Sequence, residues 1–192
     1  MRYPSDQKAR AKEAILQAGA KALRTNGFNG IGVDGIAASA GVTSGAFYSN
    51  FSNKEALLQD VIGACLGEPF IDSESGSLTE RQARLKEWLA MYISAAHRAD
   101  PASGCVMPSL SADVARASPK IRATYRRKML ALVRRMSNVL GVAGPDSEKS
   151  AWSIVAMMVG AIAISRAMPD GEEPDRVLDS ALQSAIALIA PK

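Results

Sequence analysis

The chain is 192 residues long, 47% apolar and 22% charged, with a net charge of +4 and a pI near 9.2. That composition is globular and excludes wholesale disorder, while its mild basicity permits an anionic partner such as nucleic acid without requiring one. Two cysteines and a single histidine exclude a disulfide framework, a four-thiolate zinc site and paired-histidine metal motifs, so neither a metal nor a cofactor is expected.

The N-terminus lacks the apolar stretch of a signal peptide. The longest apolar run, Ala151–Ile164 interrupted by Ser153, is short for a bilayer. These features predict a soluble, cytoplasmic protein without a membrane partner. Nearly all of the sequence carries a helical period and almost none alternates with period two, which predicts an all-α fold. The first helix starts near Ser5 or Asp6, carries Ala11, Ile15, Ala18, Ala22 and Leu23 on one face, and stops at Asn26-Gly27. A short helix over Val33–Ala40 ends at Gly41, and Thr43 caps another over Ser44–Asn50. Ser52-Asn-Lys-Glu55 reads as a capping box opening a helix through Cys65, and Gly67-Glu-Pro69 with Asp72–Ser77 reads as a linker.

Ser77-x-x-Glu80 is a second capping box, followed by one long amphipathic helix running to Asp100-Pro101. A short helix near Pro108–Ala117 comes next. Ser118-Pro119 then starts a helix carrying Ile121, Tyr125, Met129, Leu132, Met136 and Leu140, which stops at Gly141–Pro145. The helix over Ser147–Met168 is apolar nearly all round, and the last, from Pro174, has two apolar rows. Helices apolar on two faces need neighbours on both sides, which points to a second copy of the chain meeting Val155, Val159, Ile162, Val177, Ala181 and Leu188. The domain boundary falls near residue 67, dividing an N-terminal module (1–67) from a bundle of longer helices (68–192).

Val33–Phe51 is the most informative segment. Two short helices are joined by Ala40-Gly41-Val42-Thr43, in which glycine permits the tight turn and Val42 can enter the core. Phe47 and Phe51 anchor one face of the second helix and leave small and polar residues on the others. This is the pattern of a helix-turn-helix, whose second helix enters the DNA major groove. An ordinary turn between two core helices is the alternative reading of the spacing alone.

The flanks extend the pattern. Ile15-Leu-Gln-Ala-Gly-Ala, Asn26-Gly-Phe28, Val33-Asp-Gly-Ile-Ala-Ala, Ala40–Phe51 and Asn53-Lys-Glu-Ala-Leu57 together resemble the TetR family of bacterial transcriptional regulators, from about Lys8 to Gly67. The resemblance implies a homodimer with N-terminal heads that read a double-stranded DNA operator and a C-terminal domain that binds a small effector and dimerises. It implies that Tyr48 and Lys54 hold phosphates and that Thr43, Ser44, Gly45, Ala46 and Asn50 lie near base edges or backbone. Gly32 stands where the family often has Ser or Thr, and Ser44 where it often has Lys or Arg.

Gly30-Ile-Gly32-Val-Asp-Gly35 matches a dinucleotide fingerprint in letters only, because a helix rather than a strand precedes it. Seven of the eight methionines lie at or beyond Met91. With Trp88, Met91, Tyr92, Met107, Tyr125, Met129 and Trp152 they suit an adaptable pocket for an apolar effector, with His97 as a polar contact, though each also suits plain core. Cys105, following Gly104, sits at a helix start that can favour a thiolate, so a redox- or electrophile-sensing regulator is an alternative. Cys65 reads as packing. Lys120, Arg122, Arg126, Arg127, Lys128, Arg134 and Arg135 read as a solvated face. A helical-bundle enzyme would need a nucleophile with a base, paired carboxylates or a metal site, and the sequence offers no such constellation.

Overall fold

A computed structural model describes residues 4–66, 75–141 and 145–189. Among them are ten helices and no strand: α1 (Pro4–Asn26), α2 (Val33–Ser39), α3 (Ser44–Asn50), α4 (Lys54–Cys65), α5 (Leu78–Tyr92), α6 (Ala95–Ala99), α7 (Val106–Ala115), α8 (Pro119–Ser137), α9 (Pro145–Arg166) and α10 (Glu172–Ala187). The chain forms two compact units, Met1–Leu66 with Pro101–Arg126, and Gly67–Asp100 with Arg127–Lys192. Residues 67–74 of the predicted linker, 142–144 of the predicted stop after α8, and the side chains of Ser5 and Asp6 lie outside the described residues.

In the first unit, α1 packs on α2, α3, α4 and α7. Its core is Ile15, Leu23, Ile36, Phe47, Leu57, Leu58 and Ile62, all but fully buried. Gly19 sets how closely α1 meets α4: a Cβ there would fall 2.6 Å from Leu57 Cδ2. The apolar stripe of α1 thus does what its period predicts, turning one face onto the short helices.

Helix α2 ends as glycine at its C-terminus dictates. Gly41 takes φ 68°, and the amides of Gly41 and Val42 donate to the carbonyls of Ala38 and Ala37. These paired bonds satisfy carbonyls that the helix leaves open and turn the chain sharply into α3. Thr43, extended at φ −82°, accepts from Ala46 N at 3.2 Å and starts α3. The cap of α4 is Asn53, whose Oδ1 accepts from Ala56 N at 2.8 Å, one residue beyond the Ser52 expected from the sequence. Both residue types can cap, and the extended backbone at residue 53 decides between them.

The second unit is built on α9 and α10, with α5 against α10 and α6 against α9. Ser77 and Glu80 form the expected capping box. The single long helix expected after it is broken: α5 stops at Tyr92, and Ser94 opens α6 by accepting from His97 N at 3.1 Å. Serine competes for backbone groups and so favours such a restart over a helix interior. Arg166 of α9 caps the other end of α6, donating to the carbonyls of His97 (2.6 Å) and Arg98 (3.1 Å). Ser147, 4% exposed, bonds Ser137 O at 2.7 Å and so ties the start of α9 to the end of α8. By length and composition α9, at 22 residues, is long and apolar enough to cross a membrane. Ala151, Ile154, Val155, Met158, Ala161 and Ile162 are nevertheless buried in its own unit, as in a core helix.

Candidate nucleic-acid interface and effector region

Helix α3 is held from below by aromatic packing. Phe47 is fully buried, Phe51 lies 5.6 Å from it between ring centroids, and Tyr48 meets Phe47 edge-on at 5.5 Å. Tyr48 itself stays 59% exposed. Gly45 and Ser49 are exposed beside it, and Ala46 is half-buried. A Cβ on Gly45 would find nothing closer than Thr43 Oγ1 at 3.7 Å, so the head's own packing does not require glycine there.

The short polar side chains at and along α3 hydrogen-bond within the head, those of Thr43 and Ser49 while exposed. Thr43 Oγ1 holds the cap, Ser44 Oγ donates to Asp34 Oδ1 at 2.5 Å, and Ser49 Oγ donates to Gly45 O at 2.9 Å. The Ser44–Asp34 bond staples α3 to the first turn of α2. Asn50 Nδ2 donates to Ala46 O at 2.8 Å, while its Oδ1 is buried without a hydrogen-bond partner. Asn50 therefore does not extend towards a base in this conformation.

Lys54 sits differently from the free phosphate contact expected. Its Nζ donates to Phe28 O (2.6 Å) and Ile31 O (3.0 Å) and lies 4.3 Å from the Phe28 ring centroid. Its charge holds the α1–α2 turn, which presents α2 and hence α3. Sequence spacing gave no sign of this, because the carbonyls lie 26 and 23 residues away.

Residues 15–61 match the sequence profile described as bacterial regulatory proteins, tetR family. Over that segment the N-terminal head is similar to the TetR family. The whole fold is similar to solved members. The reduced form of NemR from E. coli superposes with a TM-score of 0.71 at 21% identity, over 91% of this chain and 94% of that one. A TetR-family regulator from Agrobacterium tumefaciens gives 0.74 at 15% identity, over 92% and 97%. One from Cytophaga hutchinsonii gives 0.71 at 21%, over 97% and 98%. A search of curated proteins returns no match.

The residues expected to line an effector pocket fall into two groups. In the unit that carries the helix-turn-helix, the Tyr125 hydroxyl lies 2.7 Å from Ser111 Oγ, Met107 is buried, and Cys105 Sγ accepts from Met107 N at 3.5 Å as the cap of α7. Burial raises the Tyr125 pKa above its ordinary value, against the lowering effect of Ser111. In the other unit, Trp88 and Tyr92 lie 5.1 Å apart with their rings tilted by 47°, and Tyr92 meets the His97 ring edge-on at 4.5 Å. His97 Nδ1 bonds Tyr92 O at 2.7 Å, and burial lowers the His97 pKa. Met129 is buried in that unit's core. Met91 and Trp152 depart from the expectation: they are 66% and 39% exposed, each on the outer side of its helix.

The expected dimer face also shifts. Val155 and Ile162 are buried inside their own unit at 3% and 0% exposure, so they are not available to a second chain. Val159, Val177, Ala181 and Leu188 remain half-buried. Beside them α9 and α10 form an open groove of about 700 Å³ lined by Ala156, Met157, Gly160, Ile164, Val177 and Ala181. Among the described residues, no group of three or more His, Cys, Asp or Glu side chains is placed to hold a metal ion.

Proposed function

We propose that this protein is a homodimeric repressor that binds a palindromic operator and is released by a small apolar effector, with DNA reading in residues 1–67 and effector binding and dimerisation in residues 68–192. The observation that carries the reading is α3: a rigid short helix, anchored by Phe47 and Phe51, whose outer surface is small except for Tyr48. Tyr48 holds a phosphate, and Gly45 and Ala46 let the DNA backbone and base edges come close. No Arg, Lys or Gln lies between Ser44 and Asn50, so the strong guanine contact is missing and specificity comes from doubling across an inverted repeat and from DNA shape.

The second copy docks on the α9–α10 groove, an apolar face that α9 and α10 leave uncovered within one chain. A dimer places two heads about 34–36 Å apart, one helical turn of DNA. The effector acts by preferring a conformation in which that spacing is lost, and it is sought at the Ser111–Tyr125 cluster or at the Trp88–Tyr92–His97 cluster. Selection from random duplexes tests the reading. A long inverted repeat bound by a dimer is expected, and a short asymmetric site or a monomer on DNA refutes it.

Cys105 supports a second reading. Its sulfur caps α7 by accepting an amide hydrogen from Met107, and the side chain is half-buried rather than sealed. Under this reading an electrophile that alkylates Cys105 releases the operator. Loss of binding on alkylation that persists in Cys65→Ser and disappears in Cys105→Ser is the expected result; release unaffected by Cys105→Ser removes it.

A further inference from the structure

Helix α7 belongs to the same compact unit as the DNA-reading helices although more than forty residues separate it from α3. Two bonds join the segment around it to the last turn of α1. Arg24 Nε donates to Ala102 O at 2.8 Å, and Phe28 N donates to Asp113 Oδ2 at 3.0 Å across 85 residues of sequence. Asp113 is 12% exposed, and its other oxygen pairs with Arg116 at 3.0 Å. A carboxylate beside the C-terminal end of a helix opposes the helix dipole, so packing alone gives it no reason to be there. The Phe28 amide, one of the first groups beyond α1, supplies that reason.

Phe28 is held from both sides. Its amide meets Asp113 of α7 and its carbonyl meets Lys54 of α4, which also reaches Ile31 O. Gly32, the next residue, is the N-cap of α2, and α2 is stapled to α3 through Asp34 and Ser44. On another side of α7, two residues before Asp113, Ser111 bonds Tyr125 of α8. Hydrogen bonds joined by short stretches of backbone thus link Tyr125 through α7 and the Phe28 turn to the recognition helix.

We propose that Asp113 is the positioning residue through which α7 sets the orientation of the helix-turn-helix, so that a change at the Ser111–Tyr125 contact reaches DNA affinity by way of Phe28. The inference rests on the DNA-binding reading above. Shifting α7 by a fraction of an ångström changes where the Asp113 oxygen sits, and the amide it holds moves the entry to α2. Coupling of this kind is established by non-additivity and not by proximity.

The test uses the full chain and an inverted-repeat duplex recovered by selection. Asp113→Ala should weaken operator binding by roughly 2- to 150-fold, the range for residues coupled in one network. Asp113→Asn keeps an acceptor oxygen for Phe28 N and should stay within about twofold of the wild type. Ser111→Ala should weaken binding in the wild type and have no effect in the Asp113→Ala background. Additive effects of Ser111→Ala and Asp113→Ala overturn the proposal. So does an affinity loss in Asp113→Ala that matches a fall in the folded fraction at the assay temperature, or an Asn variant as weak as the Ala variant. A wild type that selects no duplex refutes the DNA-binding reading itself, which separates the two failures.

Discussion

Gly45 separates what the fold needs from what a partner needs. A Cβ there would make only an ordinary contact with Thr43 Oγ1 at 3.7 Å, so Gly45→Ala should leave the head intact and stabilise it by a few tenths to about 1 kcal/mol through higher helix propensity. The same methyl group stands where DNA would approach, so operator affinity should fall while the melting temperature rises or holds. Affinity unchanged by the methyl group would remove Gly45 from the interface. Lys54→Ala has the opposite signature. It deletes two charge-assisted bonds to backbone carbonyls, each worth on the order of 1.5–3 kcal/mol when well made. Urea unfolding should show the loss, with DNA affinity falling as the head loosens and the salt slope little changed. A slope reduced by about one unit at unchanged stability would instead assign the charge to a phosphate. His97 gives a pH dependence of definite sign. Its folded-state pKa lies below the ordinary 6.5, first because of burial, then because of Arg166, against the raising effects of the Tyr92 carbonyl and Asp100. The unfolded chain therefore binds more protons in the window below 6.5, and stability falls as pH drops through it. His97→Gln should flatten the stability difference between pH 7.5 and pH 5.5 measured by urea unfolding, and an unaltered slope would count against it.

At the level of elements, the helix-turn-helix was legible because its determinants are local. Gly41 at φ 68°, the Thr43 cap and the Phe47–Phe51 pair all lie within eleven residues and act on backbone they adjoin. Thr43→Ala should accordingly cost about 1 kcal/mol, the usual effect of losing a cap, and proton exchange should quicken at Ala46 first. Equal protection at Ala46 in the variant would show the cap to be idle. The α5–α6 junction was not legible. Leu85, Leu89, Tyr92 and Ile93 keep a helical period up to the break, and against continuity stands one serine whose preference is weak in isolation. What fixes the break is Arg166, which binds the carbonyls at the end of α6 from 68 and 69 residues away. The carbonyl bonds of Lys54 were not legible for the same reason: carbonyls leave no trace in a sequence.

For the molecule as a whole, α9 shows why periodicity fails at an interface. A helix apolar nearly all round has no phase, so a pattern cannot tell which valines face the core and which face outward. The structure gives Val155 and Ile162 to the core and leaves Ala156, Met157, Gly160 and Ile164 along the groove with Val177 and Ala181. Two substitutions then differ in outcome. Ala181→Glu should give a folded monomer with native circular dichroism and no operator binding, because a carboxylate enters an apolar contact that usually buries more than ~1,600 Å². Val155→Glu should instead unfold its unit, since it buries an unpaired charge. Light scattering with thermal melting distinguishes them, and a dimeric Ala181→Glu protein would exclude this groove as the contact.

The internal hydrogen bonds of the polar groups at α3 have a consequence for how operators would diverge. With Thr43, Ser44, Ser49 and Asn50 each bonded within the head, no single side chain carries a large share of the discrimination. Each base change in a half-site then alters affinity by a small step instead of abolishing it. A regulator built this way would grade its targets rather than sort them into bound and unbound. Promoters drifting by one base pair at a time would stay under its control, each at its own threshold of effector.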